Sequence, residues 1–249
     1  MRWRVIPIEV RSAAMNMAID EAISKSVSNG ANPTIRFYKW LPSAVSIGYF
    51  QSLNDVVNKK YCKRNGVNIV RRRTGGGAVY HSNRGEITYS VIGPVDMFPK
   101  NIIESYKLIC GWVILGLKNL DIHAEFQPIN DIIVKGKKIS GNAQTRRNNI
   151  LLQHGTILYD VDVEKMFSML RVPDEKLRAN LIKSAEERVT RVLDFKQITA
   201  TQTYEALLKG FTQDKEFDMG SLTDDELINA ERLAISKYGT DEWNCMRWI

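Results

Sequence analysis

The residues best equipped for chemistry lie between Val70 and Ser82. Arg71-Arg72-Arg73-Thr74 runs into Gly75-Gly76-Gly77, and the β-prone Ala78-Val79-Tyr80-His81 follows. Glycine takes backbone angles closed to other residues and lets a ligand reach bare N–H groups, and successive amides in such a turn form an anion-binding hollow. Arginines alongside suit phosphate or carboxylate, because the guanidinium fork bonds two acid oxygens at once. The run is neither a G-x-x-x-x-G-K-S/T phosphate loop nor a G-x-G-x-x-G dinucleotide loop. Alone, it reads equally as an anion site or as a basic hairpin with a glycine turn.

A second group follows: Asn130-Asp131, then Lys137-Lys138-Ile139-Ser140-Gly141-Asn142-Ala143. A carboxylate near a phosphate site can hold Mg²⁺, which prefers carboxylate, water and phosphate oxygens. A lysine on the neighbouring strand can neutralise an oxygen that gains charge during phosphoryl or acyl transfer. The same residues also read as a β-hairpin with a solvated lysine pair. His81 and His154 fall inside motifs, but no third ligand stands at metal spacing. Both read as structural, and His123 as incidental.

Strands must hold these groups. Residues 2–10 read as one. Met15, Ala18, Ile19, Ala22, Ile23 and Val27 then mark a helix from Ser12 to Asn29, with Ser12 as its N-cap and Gly30 beyond its end. Thr34–Trp40 and Ala44–Gly48 read as paired strands joined by a turn at Pro42, and Asn54–Asn65 as a helix closed by Gly66. Val67–Arg72 delivers the arginines to the glycine turn, and Ala78–His81 and Glu86–Ile92 continue as strands. Pro99–Leu120 is the longest predicted helix, with Ile102, Ile103, Tyr106, Ile109, Val113 and Leu117 toward the core; Gly111 and Gly116 argue against its regularity. Ile129–Val134, Lys138–Thr145 and Leu151–Tyr159 are further strands. Beyond Asp162 the pattern is helical, near 162–170, 174–184, 201–214 and 223–238. Strands early and helices late predict one α+β domain spanning residues 1–249, mostly helical from about residue 162.

The chain is 44% hydrophobic and 25% charged, an ordinary soluble composition. Its net charge of +7 favours anionic partners, although the 35 cations are spread along the whole length. No apolar run approaches the roughly 20 residues of a membrane-spanning helix. Cys62, Cys110 and Cys245 form neither a disulfide framework nor a zinc spacing, so a reducing cytoplasm fits.

Arg71–His81, then Asn130-Asp131-Ile132, Lys138–Ala143 and His154-Gly155-Thr156-Ile157-Leu158, taken in that order, resemble the lipoate–protein ligase family. That family sits in a larger group with biotin ligases and octanoyltransferases. The resemblance extends to Arg36–Phe50, Val172–Val189 and Glu242-Trp243-Asn244. It implies an α+β catalytic domain with mixed, mainly antiparallel sheets flanked by helices. It also implies a two-step ligase: lipoate and Mg-ATP form lipoyl-adenylate, and a lysine of a lipoyl domain then takes the acyl group. Lys138 matches the family's active-site lysine, and Arg71 and Arg72 the nucleotide-site arginines. Gly75, Gly76, Gly77, Ala78, Val79 and Tyr80 would line the ATP and adenylate site, with Asn130 and Asp131 near the nucleotide and Mg²⁺. Phe37, Trp40, Tyr49, Val79, His81, Ile139, Gly141, His154 and Gly155 are candidates for the lipoate slot. Implied acceptors are the lipoyl domains of 2-oxoacid dehydrogenase complexes and the glycine cleavage H protein, with no membrane or nucleic acid involved.

Ser82 stands where many relatives carry an aspartate. Single-chain bacterial ligases continue past the Trp-Asn segment into an accessory domain, so the resemblance implies a catalytic chain served by a separate accessory protein. The rival enzyme is an octanoyltransferase, which moves an octanoyl group from acyl carrier protein to lipoyl domains through a cysteine thioester without ATP. No cysteine lies near Ile129-Asn130-Asp131. A non-catalytic binder of acyl groups or nucleic acid is the remaining alternative, and no stripe of arginines interleaved with aromatics supports it.

Overall fold

In the computed structural model, which describes residues 2–171, 183–184 and 186–246, the β-branched and aromatic runs become strands of two sheets. The larger contains β1 (Trp3–Arg11), β2 (Thr34–Trp40), β6 (Glu86–Pro94), β7 (Glu125–Gln127), β8 (Asp131–Val134), β9 (Lys137–Arg147), β10 (Ile150–Leu158) and β11 (Phe217–Met219). Its order is β11-β1-β2-β6-β10-β9-β8-β7, with β1 parallel to β2 and β11 and every other pair antiparallel. The smaller contains β3 (Ala44–Ile47), β4 (Asn68–Arg71) and β5 (Val79–His81), in the order β4-β3-β5. This is the α+β class with mixed, mainly antiparallel sheets that the sequence implies.

Ser12 caps α1 (Ala13–Ser28), accepting from the Met15 N–H at 3.3 Å, and Gly30 beyond it has φ +98°. The chain continues through α2 (Leu53–Val56), α3 (Lys59–Arg64), α4 (Ile102–Lys118), α5 (Val163–Ser168), α6 (Ala200–Thr212), α7 (Asp224–Leu233) and α8 (Asp241–Cys245). A π-helical stretch, Ala234–Tyr238, prolongs α7. Alternation along the central strands feeds two cores. Phe37, Ile87, Tyr89, Val91, Leu151 and Ile157 pack toward α4 and α6, whereas Tyr38, Trp40, Ile92, Ile150 and Leu152 pack with α1. A third cluster, including Val45, Val57 and Cys62, lies with the small sheet.

Several expectations change. β2 and β3 are not paired: β2 already has β1 on one edge and β6 on the other, so β3 joins β4 and β5. Asn54–Asn65 is two short helices, because Val57 is extended and bridges Leu170. Ile102 and Ile103 are exposed, since Asn101 caps α4 and they fall in its first turn ahead of the buried stripe. Gly116 leaves α4 continuous and lets α6 cross it closely: a Cβ on Gly210 would lie 2.2 Å from the Gly116 nitrogen. The strands β7 and β11, three residues each, are too short for a periodic signal. Most of the helix expected near 174–184, and most of the Val172–Val189 stretch, lie outside the described residues.

Candidate active site

The glycine loop leaves β4 after Arg71 and re-enters at β5, and Arg72 holds its shape. Arg72 Nη2 donates to the carbonyls of Gly75 and Gly77, both at 2.7 Å, Nη1 to the Ser46 carbonyl and hydroxyl at 3.1 Å, and Nε to Thr74 Oγ1 at 3.1 Å. All its partners are neutral, and burial pushes its pKa down to about 10, so it stays cationic at neutral pH. A buried cation with no carboxylate partner among the described residues leaves a positive field in the loop, which favours an anion. The resemblance has Arg72 touching the nucleotide; here its N–H groups donate to the loop carbonyls, to Thr74 and to Ser46, and its side chain lines the cleft described below. Gly76 (φ +91°) sits against Gly48, where a Cβ would come 2.0 Å from the Gly76 carbonyl oxygen.

Arg71 points elsewhere. Its side chain donates to the carbonyls of Gly48, Tyr49, Gln51, Trp243 and Asn244, while its backbone N–H donates to Asn244 Oδ1 at 2.7 Å. Trp243 Nε1 returns a bond to the Arg71 carbonyl at 2.9 Å. The Trp-Asn pair near the C-terminus is thereby a clamp on the strand that feeds the loop.

Lys138 comes from a bulge. The β8–β9 register slips between Ile132 and Ile133, Ile139 turns into the core, and Lys138 stays half-exposed with Nζ 2.6 Å from Asp131 Oδ1. Its carbonyl accepts from the Thr190 N–H at 2.9 Å. Beside this pair, Asn130 and Asn142 exchange bonds: Asn130 Nδ2 donates to the Asn142 carbonyl, and Asn142 Nδ2 to the Asn130 carbonyl at 2.9 Å. The Tyr89 hydroxyl donates to Asn142 Oδ1 at 2.7 Å and accepts from Gln153 Nε2 at 2.9 Å. Asn142 lies directly over Gly155, where a Cβ would be 1.9 Å from its Oδ1.

Both motif histidines are buried. His81 stacks on Trp40 at 4.0 Å, with Nδ1 2.7 Å from Glu86 Oε1 and Nε2 2.8 Å from the Ser46 hydroxyl that Arg72 also meets. His154 Nε2 lies 2.7 Å from Thr74 Oγ1, and its Nδ1 3.6 Å from Asp20 Oδ2. Burial pulls the His154 pKa below its usual 6.5, and Asp20 opposes the shift without cancelling it. Asp20 also carries the Arg36 guanidinium, at 3.0 Å.

These groups enclose a cleft of about 330 Å³. Arg72, Gly76, Gly77, Ala78, Val79, Tyr80, Asn130, Lys138, Gly141, His154 and Gly155 line it, as do Trp40 and His81. Phe37 and Ile139 are fully buried in the core with α4, and Tyr49 packs on Trp243 and Phe50, so none of the three lines the cleft. Arg71, Gly75 and Asp131 are also outside its lining, Asp131 reaching it through Lys138. Met17, Tyr38, Met166, Phe167 and Leu170, which the sequence does not single out, supply apolar wall. Asn142 carried a signal in its motif; Gln153 and Glu86 carried none.

The described residues hold no group of three or more His, Cys, Asp or Glu fit to bind a metal. No cysteine lines the cleft. Cys62 and Cys110 are buried, with thiols pushed up to about 11 and about 12, and Cys245 is exposed on α8.

The model of the lipoyl protein ligase A/B catalytic domain matches residues 12–212. An octanoyltransferase LipM from Brevibacillus brevis is 38% identical, covering 99% of this chain and 99% of its own length. Among solved structures, a chain from an archaeal lipoylation system, a bi-partite lipoate protein ligase and its E2 lipoyl domain from Thermoplasma acidophilum, superposes with a TM-score of 0.92 at 33% identity; it covers 100% of this chain and 98% of itself. Lipoate-protein ligase A bound with ATP gives 0.86 at 32%, covering 98% and 99%.

Proposed function

The chain belongs to the lipoyl protein ligase A/B catalytic domain family, and within that family we propose that it is an ATP-dependent lipoate–protein ligase. As an enzyme of lipoyl and octanoyl transfer it stands between relatives of two names, so the choice rests on the chemistry of the cleft. The observation that carries the ligase reading is a cleft whose lining holds two cations, Arg72 and Lys138, and none of the chain's three cysteines.

In this reading the lipoate carboxylate attacks the α-phosphorus of ATP, the bond to the β-phosphate breaks, and pyrophosphate leaves. The amine of an acceptor lysine then attacks the acyl carbonyl, an amide forms, and AMP leaves. Lys138 brings the two anions together and stabilises the oxygen that gains charge in each transfer. Asp131 holds the Lys138 ammonium in place until substrate competes for it. The Arg72-braced loop presents its positive field to phosphate, and Trp40, Val79 and Leu158 offer apolar wall for a short acyl chain. No side chain need become acylated, because ATP activates the acid and positioning supplies much of the rate. A lipoyl domain as acceptor and a second polypeptide as helper follow the Thermoplasma relative, described as bi-partite and with its E2 lipoyl domain.

The second reading, octanoyl transfer without ATP, has the stronger support from the curated relatives, the Brevibacillus octanoyltransferase among them. A thioester route needs a thiol beside the acyl carbonyl. A variant with Cys62, Cys110 and Cys245 all replaced by alanine separates the two, with thermal melting as the check on folding. ATP-dependent attachment of lipoate within a few-fold of wild type is the expected result; octanoyl transfer that disappears with the thiols would replace the ligase reading.

A further inference from the structure

We propose that a second hollow, distinct from the acyl cleft, binds a diphosphate group. It measures about 300 Å³, room for roughly ten waters at about 30 Å³ each. It lies among α1, the β9–β10 hairpin, α7 and Arg73, and shares no lining residue with the cleft. Four cations converge on it from separate parts of the chain: Lys25, Arg73, Arg147 and Arg232. One carboxylate, Glu21, faces them, and it is already engaged. Lys237 Nζ reaches its two oxygens at 2.7 and 3.0 Å, the Tyr238 hydroxyl donates to it at 2.5 Å, and Arg73 Nε stands 4.0 Å away.

Lys25, Arg147 and Arg232 have no carboxylate within ion-pair distance among the described residues. Arg147 lies over the Tyr49 ring at 4.4 Å, and Arg232 Nη2 donates to Asn229 Oδ1 at 2.8 Å, so both guanidiniums keep spare donors. Like charges gathered around a concave wall repel one another unless an anion sits between them. Guanidiniums approaching from two elements match phosphate oxygens bidentately, and Lys25 adds a point charge from a third. A ligand with one charge would meet only part of this set, whereas a diphosphate can meet all three unpaired cations.

Calorimetric titration of the full chain with sodium pyrophosphate, without magnesium or lipoate, tests the site. It is run on wild type, the Arg147→Gln/Arg232→Gln double variant, Lys25→Gln, and Lys138→Ala. The expected result is pyrophosphate affinity about tenfold or more weaker in the double variant, the scale of losing two charge-assisted bonds. Lys25→Gln should weaken it less, the binding event lost in the double variant should persist in Lys138→Ala whatever that change does to binding in the acyl cleft, and inorganic phosphate should bind wild type more weakly than pyrophosphate. Adenosine diphosphate titrated in parallel tells a free diphosphate from an esterified one, and binding of either that the double variant loses supports the site. Pyrophosphate affinity unchanged in a folded double variant, or lost in Lys138→Ala alone, would overturn it.

Discussion

Lys138 and Arg72 carry the two positive charges of the cleft in different ways. Lys138 is half-exposed and tied by one ion pair to Asp131; Arg72 is buried and fixed by its bonds to the loop. Lys138→Ala should therefore leave folding intact and cut acyl transfer about 10²- to 10³-fold, the scale of losing one preorganised charge donor. Retained transfer in a steady-state assay would remove Lys138 from the chemistry. A second consequence belongs to His154. Its folded-state pKa lies below the usual 6.5, so as pH drops past about 6.5 the unfolded chain takes up a proton that the folded chain refuses. Stability is complete above that pH and falls below it, by up to about 1.4 kcal/mol per pH unit. Denaturant unfolding between pH 7 and 5.5, above the range where carboxylates titrate, should show this slope in wild type and lose it in His154→Asn. Residue types and spacing marked the anion loop and Lys138 in the sequence. They could not say which of three consecutive arginines braces the loop, because that depends on where the loop carbonyls point.

At the scale of elements, the site hangs on contacts between distant parts of the chain. α8 clamps β4 through Arg71, Trp243 and Asn244, so the end of the chain sets the start of the glycine loop. Trp243→Ala should cost about 3–5 kcal/mol, as for other large buried aromatics. Partial activity lost in parallel with loop protection in hydrogen exchange would fit the clamp; an unchanged exchange pattern at residues 71–77 would not. Gly155→Ala tests the floor of the cleft. The added methyl meets Asn142 and Tyr89, so a loss of about 1–3 kcal/mol by overpacking is expected, with weaker acyl binding. Strong periodicity made α1, β2, β6 and β10 legible from sequence. The partner of β3 was not, because edge pairing depends on which strands already have neighbours. Nor was the break at Val57, which a contact with Leu170 imposes from far along the chain.

Seen whole, the molecule is one large sheet with cores on both faces and a small sheet whose glycine loop meets the large sheet's central strands, Thr74 touching His154 of β10. The family was legible because its motifs sit on strands whose order fixes their meeting point. Phe37, Tyr49 and Ile139 were not separable from lining residues, since aromatic and aliphatic residues on strands serve core and pocket alike. Ligase and octanoyltransferase share this frame, and they differ in whether ATP or a thioester supplies the activated acyl group. The most direct test is pyrophosphate release on mixing the protein with lipoate and Mg-ATP, alone and with a candidate helper polypeptide, followed by mass analysis of a lipoyl domain. Release that needs lipoate and Lys138, and a lipoyl domain heavier by one lipoyl group, is the outcome expected of the ligase. No release under any condition, together with octanoyl groups passing from carrier protein to lipoyl domain without ATP, would contradict it.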